Sequence, residues 1–69
     1  MSEEEIHKLR AEGMASMQDT PVKRKMEIID ILATYGEKGI PAIQDILNNA
    51  MSPTTANYAT DVLKRLKKE

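Results

Sequence analysis

Apolar residues along this chain recur at three- and four-residue intervals, and no stretch alternates with the period of two that marks a half-buried strand. Short polar, proline or glycine punctuation separates four such patterns, which predicts helices at about 3–17, 21–35, 40–50 and 53–67. Ser2 opens the first, and Glu5 three residues on completes a capping box. Glu3, Glu4 and Glu5 also suit the positive end of a helix dipole. Asp19-Thr20-Pro21 opens the second with a capping side chain and a proline in the first turn, and Tyr35-Gly36 closes it, glycine being free to turn left-handed. Gly39-Ile40-Pro41 opens the third, which ends near Asn48-Asn49-Ala50. Ser52-Pro53 opens the fourth, and Lys64, Arg65, Lys67 and Lys68 complement its negative end.

The apolar arcs differ in width when residues are spaced about 100° apart. Ile6, Leu9, Gly13 and Met17 give the first helix a stripe of only about 80°. In the second, Val22, Met26, Ile28, Ile29, Ile31, Leu32, Ala33 and Tyr35 spread over roughly 220°, leaving Lys23, Glu27, Asp30 and Thr34 as the polar strip. The third helix offers Ile40, Ala42, Ile43, Ile46, Leu47 and Ala50, and the fourth Ala56, Tyr58, Ala59, Val62, Leu63 and Leu66, over arcs of about 160°. These widths make the second helix the central element, pack the third and fourth on it, and leave the first peripheral. Short connections favour antiparallel neighbours. The expected fold is all-α: four short helices in two stacked antiparallel hairpins.

Composition narrows this picture. Sixty-nine residues make one small domain. Tyr35 and Tyr58 are the only aromatic residues, so the core must come from Ile, Leu, Val, Met and Ala. A net charge of −1 argues against a nucleic-acid binder driven by bulk charge. The absence of cysteine excludes disulfides, thiol nucleophiles and cysteine-ligated zinc. No apolar run is long enough to cross a membrane, and the acidic start MSEEEIHKL is not a signal peptide. A cytoplasmic protein is the default. Met1 and the charged end Lys67-Lys68-Glu69 read as the ends of a complete small protein.

Residues 24–47, RKMEIIDILATYGEKGIPAIQDIL, resemble one HEAT repeat of the short bacterial and archaeal type. Gly36, Ile40, Pro41, Ala42, Ile43, Ile46 and Leu47 carry the resemblance: a glycine turn, then an Ile-Pro-Ala-Ile start and a closing Ile-Leu. Residues 52–66 resemble the first helix of a following repeat through Ala59, Val62, Leu63 and Leu66, and the N-terminal helix takes the place of a preceding second helix. The likeness covers about two thirds of the chain. It implies a scaffold for protein contacts, rarely a catalyst.

Few side chains suggest chemistry. His7 is the lone histidine, with Glu3 and Glu4 at helical spacing, so a weak surface cation site is weighed against a solvated histidine, and the latter is preferred. Ser2, Ser16 and Ser52 have no histidine partner, and glycines 13, 36 and 39 form no phosphate loop. The expectation is a non-enzyme without metal or cofactor. Met14, Met17, Met26 and Met51 fall on or beside apolar arcs, where core and boundary packing is preferred over an adaptable binding surface, but Met14 and Met17 end the weakest helix and Met14 points about 60° from its stripe. Ile6, Leu9, Met14 and Met17 are therefore the candidate partner-binding patch, on which a partner helix could dock. Two basic clusters, Lys23-Arg24-Lys25 and Lys64-Arg65-Lys68, are the candidate contacts of the alternative, a nucleic-acid-associated or regulatory protein. The preferred function is a non-catalytic protein-interaction module, acting alone or as a homodimer.

Overall fold

Proline and glycine do set most of the helix boundaries. The computed structural model describes residues 2–16 and 18–67, Ser2 by its backbone alone. Among these it has α1 (Ser2–Gly13), α2 (Val22–Ala33), a single 3-10 turn (Gly36–Gly39), α3 (Ile40–Asn48) and α4 (Pro53–Lys67). No described residue lies in a strand, so the all-α expectation holds, and no helix is long and apolar enough to cross a membrane. Pro41 occupies the first turn of α3, where its missing N–H leaves no helical bond unmade. Gly36 takes φ 64°, the left-handed geometry that lets the chain leave α2. The Ser2 capping box, Met17 and Lys68 lie outside the described side chains.

Two boundaries differ from expectation. Pro21 is itself the N-cap of α2, and no side chain caps that end. The carboxylate of Asp19 instead accepts a hydrogen bond from the Ser16 hydroxyl at 3.3 Å. Helix α1 stops at Gly13 rather than near Met17. Glycine weakens the helix there, and the following residues are drawn into other bonds. The Ser16 carbonyl accepts from the backbone of Asp19 (3.1 Å) and Thr20 (2.8 Å), turning the chain toward α2.

Centrality is shared, not vested in α2 alone. Both α2 and α3 touch every other helix, whereas α1 and α4 each pack on that inner pair. Among the described residues α1 and α4 make at most marginal contact with each other. The core comprises Ile28, Ile29 and Leu32 of α2, Ala42, Ile43 and Ile46 of α3, Ala59, Val62 and Leu63 of α4, and Ile6 and Leu9 of α1. Burying each large aliphatic side chain contributes about 1.5–3 kcal/mol before ordering costs. The wide arc of α2 is covered less fully than its width implies. Ile31 is 36% exposed and stands in the solvent strip with Lys23, Glu27, Asp30 and Thr34.

The last turn of α1 packs tightly on the inner pair. A Cβ on Gly13 would lie 2.8 Å from Ile46 Cγ1 of α3 and in ordinary contact, 3.5 Å, with Ile28 Cγ2 of α2, so a larger residue there requires the Ile46 side chain to shift.

Candidate functional site

Of the apolar patch expected on α1, the described residues are not a free surface. Ile6 and Leu9 are 9% and 7% exposed and belong to the core, while Met14 is half-buried against it. A narrow stripe can still be fully used, because one helix needs only a narrow face to sit in the groove between two others.

The first basic cluster is also largely committed within the molecule. Lys25 is 3% exposed, and its ammonium donates to the Ala15 carbonyl at 2.5 Å. It thereby places a positive charge at the carbonyl-rich end of α1. This corrects the expectation that Lys25 is a surface contact. Arg24 Nε donates to Glu12 Oε2 at 2.9 Å, and its Nη1 reaches Glu27 at 3.4 Å. Lys23 remains exposed, as do Lys64 and Arg65 in the last turn of α4. Periodicity could not expose the burial of Lys25, since that depends on where the preceding loop runs.

Polar clamps tie α1 to both inner helices. Arg10 Nε donates to Asp45 Oδ2 at 2.5 Å, linking α1 to α3, and Glu12–Arg24 links α1 to α2. The Arg24 hydrogen bond, more than its charge, holds the Glu12 carboxyl below the usual carboxylate range, against a smaller opposing effect of burial. Arg24 is raised in return, chiefly by the same bond. Tyr35 is pushed up by burial first and then by its hydrogen bond to Glu5. On the other flank the Tyr58 hydroxyl donates to Asp30 Oδ1 at 2.5 Å, joining α4 to α2, and that bond is the main cause of its raised pKa.

Two open grooves stand out among the described residues. One, of about 470 Å³, lies between α1 and the start of α3; Ile6, Pro41 and Ala42 give it apolar walls, with His7, Arg10 and Lys38 among its polar ones. His7 sits exposed there, and no set of three or more His, Asp or Glu among the described residues gathers to hold a metal ion. The other, of about 400 Å³, lies at the opposite end of α1 and α3, lined by Met14, Ala15, Ser16, Asn49 and Met51. Met51 is 81% exposed, far more than any other large apolar side chain described. Its position was open to inference: it falls between the Asn48-Asn49 stop and the Ser52-Pro53 start, where it has no helical arc to join. Asn49 fixes that corner, its Nδ2 donating to the Asp45 carbonyl at 2.9 Å.

No protein-family model matches the chain, nor does any curated protein or solved structure.

Proposed function

We propose that this chain is a non-catalytic, cytoplasmic protein-interaction module on a HEAT-like helical scaffold. The observation that carries the proposal is Met51, a large apolar side chain held almost wholly in solvent beside the Met14 groove. Keeping such a side chain out of the core forgoes about 1.5–3 kcal/mol of burial, and a partner that covers it recovers that energy. Methionine tolerates varied partner shapes because its thioether side chain is unbranched and polarizable. The scaffold half of the reading rests on the resemblance of residues 24–47 and 52–66 to HEAT-like units; α1 and α4 each pack on both inner helices. A homodimer that pairs two copies through Met51 is one form of the same reading.

The test is capture of partners from the source lysate with the native chain, Met51→Glu and the distal surface variant Asp61→Asn side by side, followed by titration of each captured protein after purification. A partner held by the native chain and Asp61→Asn but lost with Met51→Glu is the expected result. Light scattering of the purified chain detects the homodimer. Salt-sensitive micromolar binding to mixed DNA and RNA oligomers, abolished by neutralising Lys23, Lys64 and Arg65 and indifferent to Met51→Glu, would replace this reading with the nucleic-acid one.

A further inference from the structure

Helix α1 is attached differently from the rest of the molecule. It supplies Ile6 and Leu9 to the core, while α2, α3 and α4 supply Ile28, Ile29, Leu32, Ala42, Ile43, Ile46, Ala59, Val62 and Leu63. Every ion pair between helices among the described residues involves α1. Such half-exposed pairs orient a helix more than they hold it. The surface beneath α1 nevertheless has a definite shape and charge. Ile46 crowds the position of Gly13 and favours a small residue there, Asp45 receives an arginine on one side, and Arg24 receives a glutamate on the other.

We propose that α1 is a displaceable strap, and that the α2–α3 groove beneath it recognises an amphipathic helix with α1's own pattern. The partner segment carries apolar residues where α1 has Ile6 and Leu9, arginine for Arg10, glutamate for Glu12 and a small residue for Gly13. Its occupancy is argued from charge complementarity: Asp45 and Arg24 stand on opposite walls and fix the direction of the incoming helix. The Ala15–Lys25 bond, two residues past the end of α1, is the latch: it anchors the segment from which the helix swings, and weakening it loosens the C-terminal turn of α1. The latch residue Ala15 also lines the Met51 groove, but Arg24, Ile28, Asp45 and Ile46 beneath α1 do not, so Met51→Glu tests the other reading and leaves this one standing.

Native-state hydrogen exchange of the full chain, with and without a synthetic peptide of residues 2–16, tests it. Amides of α1 should exchange by local opening, about tenfold or more faster than those of α2 and α3, while α4, equally terminal, exchanges with the inner pair. Lys25→Met and Glu12→Gln should each speed α1 by about twofold or more and leave α2–α4 unchanged. The peptide should bind saturably and accelerate exchange in α1, and the same peptide with Gly13→Leu should not bind. Exchange of α1 only through global unfolding would overturn the strap. Ready opening of α1 without any peptide binding at millimolar concentration would overturn the recognition.

Discussion

The two terminal helices, α1 and α4, pack on the same inner pair by different physics. Helix α4 brings Ala59, Val62 and Leu63 into the core, adds the buried Thr55, and among the described residues is linked to α2 by the Tyr58–Asp30 hydrogen bond. Helix α1 brings a narrower apolar face and relies on Arg10, Glu12 and the Lys25 latch for its placement. Apolar burial resists salt and is non-directional, whereas half-exposed ion pairs give orientation at little net stability. On the strap proposal, equal position in the chain does not mean equal permanence: α4 opens with the inner pair, and α1 opens before it.

The sharpest way to break that contrast is to truncate one leucine on each side. Leu63→Ala should cost ~2–5 kcal/mol and lower the midpoint of the whole denaturant transition, read by circular dichroism. Leu9→Ala should instead remove the helical signal of α1 in a separate early step, leaving the midpoint of α2–α4 in place. A single shared transition for both variants would mean that α1 folds with the rest.

Gly13 sharpens the same point. Gly13→Ala gains helix propensity but drives a methyl into Ile46, an overpacking worth ~1–3 kcal/mol. If α1 undocks as proposed, the measured cost is capped at the docking energy of α1, and bulkier residues at 13 cost no more than alanine does. Steadily rising destabilisation from alanine through valine to leucine, measured by urea unfolding, would refute the cap.

These features were unequally visible in the residues themselves. The starts at Pro41 and Pro53 and the left-handed Gly36 are local events, set by a missing N–H or a missing Cβ, and so can be read one position at a time. The inward turn of Lys25 and the burial of Ile6 and Leu9 depend on which groove receives α1. Gly13 illustrates the boundary between the two. Its spacing from Ile6 and Leu9 marked it as part of the stripe, correctly, but that it also ends the helix reflects bonds made by Ser16 and Lys25 farther along. Met51 was legible in principle, since an apolar residue between a helix stop and a helix start has no face to join.

Thr55 offers a smaller test, confined to α4. Its hydroxyl is buried, the residue being 1% exposed, and has no hydrogen-bond partner among the described residues. Thr55→Val replaces that hydroxyl with a methyl and should raise stability by about 1 kcal/mol. The gain should appear in the thermal midpoint of the α2–α4 transition and leave the opening rate of α1 unchanged. A loss of stability would mean that the hydroxyl is satisfied in solution.

The smallest expected effects distinguish the flanks by pH. Glu12 has a folded pKa below its ordinary value of 4.5, so its contribution to holding α1 is complete above that value and is lost as pH falls through the depressed folded value. Exchange of α1 should quicken across that acidic window more in the native chain than in Glu12→Gln, which keeps the acid response of every other carboxylate. Tyr58 has a folded pKa above its ordinary 10.0, so the α4 link is intact below that pH and is lost as pH rises through the raised value. Tyr35, raised mainly by burial and then by Glu5 of α1, adds an alkaline response on the other flank. Tyr58→Phe and Tyr35→Phe, followed by hydrogen exchange through the same alkaline range, separate the two. Acid acting through Glu12 should loosen α1 alone, whereas alkali should loosen α1 through Tyr35 and α4 through Tyr58. An acid response of Glu12→Gln equal to that of the native chain would remove the Glu12–Arg24 pair from the account of how α1 is held.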